Sequence, residues 1–154
     1  MFIVLGFYKF KKLKSLRLNK DILQKSFKKY NVRGTLIISN EGLNGTISGK
    51  LKDINNIKKK IKILFKINNF DSQNLSNSNF QPFHRHKIKI KKEVVPMDLN
   101  IYPKFKKNSY LEPSKWNKII KNKDTLVLDV RKPFEYEIGS FKKSINPKVK
   151  NFRE

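Results

Sequence analysis

Apolar positions alternate, or recur at helical spacing, along most of the first eighty residues. Residues 2–10 are rich in aromatic and branched side chains and predict a first strand. Ile22, Leu23, Phe27 and Tyr30 then fall on one face of a helix, with Asn19 or Asp21 placed to cap it. Residues 33–39 predict a second strand. Residues 43–48 predict a third, in which Thr46 and Ser48 alternate with Ile47. A second helix opens at Asp53 and carries Ile54, Ile57, Ile61, Leu64 and Phe65 at helical spacing. Residues 70–80 are polar and rich in Asn and Ser, and predict part strand and part loop.

The order β-α-β-β-α-β predicts an α+β, ferredoxin-like domain over about residues 1–80. Asn44-Gly45, within Asn40-Glu41-Gly42-Leu43-Asn44-Gly45-Thr46, reads locally as a tight turn, because Asn and Gly tolerate positive φ. The other reading is a glycine-lined surface that a ligand can approach. No lysine-serine pair follows, so a nucleotide phosphate loop is not supported.

Residues 81–111 read as a basic strand and linker. Lys87, Lys89 and Lys91 alternate with Ile88 and Ile90, which in a strand separates the ammonium groups from the apolar side chains. Such a lysine row can follow a phosphate backbone, or it can protect a sheet edge from pairing, and the two roles are compatible. Arg85 and Lys92 extend it. His84 and His86 flank Arg85, but without Cys or a nearby acidic pair they do not compose a metal site. Residues 98–108 form a polar, lysine-bearing linker.

Residues 112–154 predict the opening of an α/β domain. Pro113 starts a helix with Trp116, Ile119 and Ile120 on one face, Trp116 being a packing residue. The apolar run Thr125-Leu126-Val127-Leu128 predicts a strand buried on both faces, with Asp129 at its carboxyl end. Pro133 suits the first turn of a short helix and Gly139 its end. Arg131 and Glu135, spaced i, i+4, predict a side-chain pair. One clear strand is too little to close a sheet.

The chain of 154 residues carries Lys+Arg 36 against Asp+Glu 12, a net charge of +24. That balance points to a polyanion, most simply nucleic acid. The cations are almost all lysine, Asn, Ile and Phe are abundant and alanine is absent, which is also what AT-rich codon usage produces. Part of the charge is therefore solvated surface without a partner. No apolar run reaches eighteen residues, so no membrane span is expected. The apolar start lacks a basic flank and a small-residue cleavage site, and reads as a strand and not a leader. With Cys 0 there are no disulfides, which fits a cytoplasmic protein.

Asp129-Val130-Arg131, Glu135-Tyr136, Gly139 and Asn146-Pro147 behind an apolar strand resemble the first half of a rhodanese domain. Lys143-Ser144 departs from the small residues usual there, and Lys143 is strained if the backbone needs positive φ. Phe7-Tyr8-Lys9-Phe10, Gly34-Thr35, Glu41 to Ile47, Pro82-Phe83, Arg85, Lys87, residues 91–95, Pro113, Trp116-Asn117 and residues 129–154 occur in one order. With these the chain resembles the rhodanese-containing tRNA uridine hydroxylases, with His86 standing where an apolar residue is usual.

The resemblance implies an oxygen-dependent 5-hydroxylation of the wobble uridine of tRNA. Dioxygen would be co-substrate and no other cofactor is evident. Asp129, Arg131 and Glu135 would support the rhodanese site. Arg85, Lys87, Lys89, Lys91 and Lys92 would meet tRNA. It also implies an essential cysteine that this chain lacks, so the chain is expected to be truncated and inactive alone, with a C-terminal partner segment carrying the thiol. A plain sulfurtransferase fragment has no reason to carry the first domain or this charge. A non-catalytic RNA-binding module with stacking aromatics would want them on the strands at Arg33 and Leu43, which carry Leu, Ile and Thr instead.

Overall fold

The computed structural model describes residues 1–95 and 111–149, and the chain divides into two units, Met1–Val95 and Pro96–Glu154. The predicted linker at 98–108 and the segment 151–154 lie outside the described residues.

The first unit is a five-stranded sheet with two helices on one face. In chain order it contains β1 (Phe2–Phe10), α1 (Leu16–Lys29), β2 (Arg33–Ser39), β3 (Gly42–Gly49), α2 (Leu51–Leu64), β4 (Ser72–Ser78) and β5 (His86–Ile90). The strands lie in the order β4-β1-β3-β2-β5. The first four pair antiparallel, and β5 joins parallel to β2. The first domain is thus the ferredoxin-like arrangement with one strand added. Because β5 is hydrogen-bonded into the sheet, the unit runs to Val95 and not to the expected limit near residue 80. Val94 is itself anchored, its N–H donating to the Glu41 carboxylate.

Period-two burial explains the layering. Leu5 and Phe7 of β1, Leu36 and Ile38 of β2, Leu43 and Ile47 of β3 and Ile88 of β5 turn to the helices and are buried. They meet Leu23 and Phe27 of α1 and Ile54, Ile57 and Ile61 of α2. Each such side chain contributes about 1.5–3 kcal/mol on full burial. Alternate residues turn to the other face.

Two local expectations are corrected. Asn19 does not cap α1. The helix enters through Ser15 at φ 53°, and the buried Asn19 amide donates to the Lys14 carbonyl, 3.1 Å. Asn44-Gly45 is no turn either. It lies inside β3, and the hairpin turns at Asn40-Glu41, where Ser39 pairs with Gly42. Gly45 serves packing, since a β-carbon there would stand 3.2 Å from the Phe7 ring and 3.0 Å from the Thr35 carbonyl.

In the second unit the described residues form α3 (Pro113–Ile119) and α4 (Pro133–Ile138), with one isolated parallel bridge between Leu128 and Ile145. The strand expected to be buried on both faces is not. Leu126 is 64% exposed, Leu128 58% and Val130 54%. An apolar run becomes a buried strand only when neighbouring strands and helices cover it, and here a single bridge to Ile145 does so.

Candidate functional site

Asp129 lies where the extended segment ends, nine-tenths buried although its neighbours are exposed. Its carboxylate accepts from the Arg131 backbone N–H at 3.2 Å, from Nε at 2.9 Å and from Nη2 at 2.6 Å. The fork-to-fork geometry of a guanidinium on a carboxylate is among the stronger charge-assisted contacts. These bonds from Arg131 hold the Asp129 carboxyl below its usual value, against a smaller opposing effect of burial, and the same contact raises the Arg131 guanidinium.

Arg131 Nη2 also donates to the Gly139 carbonyl at 2.7 Å, which ties the loop to the end of α4. Glu135 does not take the predicted place beside Arg131. Its carboxylate accepts from the Lys132 N–H at 3.1 Å and so caps α4, because Arg131 is already engaged by Asp129 and by Gly139.

Asn146 was present in the sequence motif without an assigned task. Its amide donates to two carbonyls, those of Asp129 and Arg131, at 2.7 Å each, and its carbonyl accepts from Lys148 N–H at 2.8 Å. It therefore clamps both ends of the 129–131 turn. Tyr136 donates its hydroxyl to the Ser144 carbonyl at 2.7 Å, and buried Ser144 donates to Phe141 O at 2.7 Å. A side chain able to donate twice, at fixed distance after Asp-x-Arg, was the available signal for Asn146. Lys143 sits at φ 64°, the strained conformation expected if its position favours glycine.

An open, mostly apolar pocket of about 610 Å³ lies between this loop, Trp116 and Phe141. The two rings stand 5.4 Å apart, and the buried Trp116 Nε1 finds no acceptor among the described residues. The loop's chemistry is structural: a carboxylate engaged by a guanidinium, backbone carbonyls bound by an amide, and no thiol. Among the described residues no three His, Cys, Asp or Glu side chains gather as a metal site requires.

The basic row lies in the first unit, on an edge strand. Register places Lys87 beside Thr35 and Lys89 beside Ile37, on the helix-free face, while Ile88 is buried beneath α1. Lys91 continues the ladder by donating its N–H to the Ile38 carbonyl at 3.0 Å. Arg85, Lys87, Lys91 and Lys92 are exposed and Lys89 is half-buried. His86 turns to the helices, its ring 6.3 Å from Phe27, which accounts for an aromatic ring where an apolar residue would serve.

A helix-backed sheet with a cationic edge, and a separate loop braced by Asp129, Arg131 and Asn146, define a two-unit α+β protein. Residues 2–94 match the family described as the UPF0176 acylphosphatase like domain, and the chain belongs to that family. All 154 residues align at 60% identity with the tRNA uridine(34) hydroxylase of Pelagibacter ubique (strain HTCC1062), covering 100% of this chain and 51% of that protein. The chain thus spans about half the length of this curated relative. Among solved structures, similarity extends to an acylphosphatase from Bacillus subtilis (11% identity, 58% of this chain, 99% of that one, TM-score 0.42). A full-length HypF in its phosphate- and nucleotide-bound form is also similar (18% identity, 58% of this chain, 12% of that one, TM-score 0.43). No helix among the described residues is long and apolar enough to cross a membrane.

Proposed function

We propose that these 154 residues supply tRNA binding and the first part of the active-site scaffold to an enzyme that converts the wobble uridine of tRNA to 5-hydroxyuridine, with dioxygen as co-substrate. The observation that carries the reading is the 60% identity along the whole chain to a tRNA uridine(34) hydroxylase. The charge of +24 and the lysines of β5 suit a polyphosphate substrate. A tRNA substrate in turn favours a cytoplasmic location. Asp129, Arg131, Asn146 and Glu135 hold a rhodanese-type loop and the helix after it. Positioning is their role, since none of them is a nucleophile of the kind a thiolate provides. The sequence contains Cys 0, so on this reading the thiol comes from a further segment, fused or in trans.

The test is a filter-binding titration with tRNA across a range of salt. Neutralised phosphates release counterions, so affinity falls steeply with salt. Replacing Lys87, Lys89 and Lys91 by Ala removes up to three phosphate contacts and reduces the magnitude of the logarithmic salt slope by about two to three. An unchanged affinity and slope would remove the tRNA contact from this strand.

A further inference from the structure

The connection from β4 to β5 passes from one sheet edge to the other, and it passes over the face opposite the helices. Gln81 Nε2 donates to the Ser48 carbonyl at 3.2 Å, fixing the connection over β3. Beyond it Phe83, with Thr35 and Ile37 of β2 and Asn44, Gly45 and Thr46 of β3, lines an open concavity of about 230 Å³. Two strands supply five of its six lining residues, among them the hydroxyl-bearing Thr35 and Thr46 and the amide-bearing Asn44, and Phe83 adds an aromatic ring. Lys87 pairs with Thr35 and Lys89 with Ile37 on the neighbouring strand, so both lysines stand one strand away from two of the residues that line the concavity. They are two residues apart on one strand, about 6.6 Å.

We propose that this concavity binds one unpaired base of an RNA loop, stacked on Phe83, with Lys87 and Lys89 on the flanking phosphates. The inference deepens the tRNA reading and rests on it. Phe83 offers a ring on which a base can stack, and stacking on aromatic side chains is how single-stranded bases are held whatever their identity. The Asn44 amide, with one donor and one acceptor side, and the Thr35 and Thr46 hydroxyls can meet the polar edge of a base. The volume is below that of a drug-sized site, about 300–1,000 Å³. An acidic peptide would satisfy the lysines and leave the aromatic ring without a partner. The strands at Arg33 and Leu43 carry no aromatic ring. The ring comes instead from the crossing connection, next to the basic strand.

The test uses the whole chain and two labelled probes, oligouridine and its duplex with oligoadenosine, followed by fluorescence anisotropy. Phe83→Ala weakens oligouridine about tenfold, in line with the loss of one stacked base, and leaves the duplex unaffected. Phe83→Trp retains oligouridine binding. Asn44→Asp, which keeps the shape and adds a negative charge, weakens oligouridine as well. The pair Lys87→Ala and Lys89→Ala reduces the salt slope for oligouridine by about 1.4. Circular dichroism matching the unaltered chain accompanies each variant.

The proposal is overturned if Phe83→Ala and Asn44→Asp both bind oligouridine as the unaltered chain does. It is also overturned if polyglutamate competes as well as oligouridine. Normal tRNA binding with no effect of Phe83 sinks this inference alone. Failure of the unaltered chain to bind any tRNA sinks the reading beneath it.

Discussion

At Gly34 a β-carbon would stand 2.3 Å from the Thr46 carbonyl and 2.7 Å from Ile47 Cα, at a φ of 115°. Both the close approach of two strands and the backbone conformation exclude a side chain. Gly34→Ala should lower the unfolding free energy by more than about 2 kcal/mol, measured by urea denaturation. A loss below about 0.5 kcal/mol, the size of a neutral surface change, would mean that β2 and β3 separate easily at this point.

Asp129 is the residue whose ionisation bears on the second unit. Its folded-state carboxyl titrates below the ordinary value of 3.8, chiefly because Arg131 donates to it. A depressed acid contributes stability that is fully present above the unfolded value and is lost as pH falls through the folded one. The contribution is therefore flat at neutral pH and disappears in the acid range below 3.8. Carboxyl carbon NMR should give Asp129 a midpoint under that of an ordinary aspartate, and Arg131→Ala should raise it. An equal midpoint in both proteins would mean that the guanidinium is not seated on the carboxylate in solution.

The elements differ in what holds them. β2 lies between β3 and β5 and beneath a helix, so its amides are bonded and covered, and α2 buries Ile54, Ile57 and Ile61. Hydrogen exchange should be slowest around Leu36, Ile38 and residues 57–61, and faster at residues 126–128, which one bridge secures. Equal protection in the two regions would contradict this order.

The same difference decides what could be read in advance. The limits of β1 and β2 follow from uninterrupted apolar or alternating runs, and both helices from a 3.6-residue period. The turn at Asn40-Glu41 was missed because Asn44-Gly45 is the stronger local turn signal, and only packing against Phe7 explains why that glycine lies in a strand. The parallel pairing of β5 with β2 is a long-range choice that no local pattern encodes. At residues 125–128 the pattern is right for a buried strand, but pattern reports the side chains and not the presence of neighbours. Around Asp129 the motif was legible as spacing. The exchange of Glu135 for Asp129 as partner of Arg131 was not, because an i, i+4 relation matters only where helix includes both residues, and Arg131 precedes α4.

On the scale of the whole molecule, the described residues comprise a basic helix-backed sheet and a braced loop without a thiol. On the proposed reading, substrate binding lies in the first unit, and Asp129, Arg131 and Asn146 position the loop and take no other part. The direct measurement is mass spectrometry of the wobble uridine after incubating tRNA with the purified chain and dioxygen. Unmodified uridine is expected from the 154 residues, 5-hydroxyuridine once a cysteine-bearing rhodanese segment is added, fused or in trans, and a reduced yield when Asp129→Ala is introduced into that active combination. 5-Hydroxyuridine formed by the chain alone would contradict this reading, since the chemistry would then need no thiol.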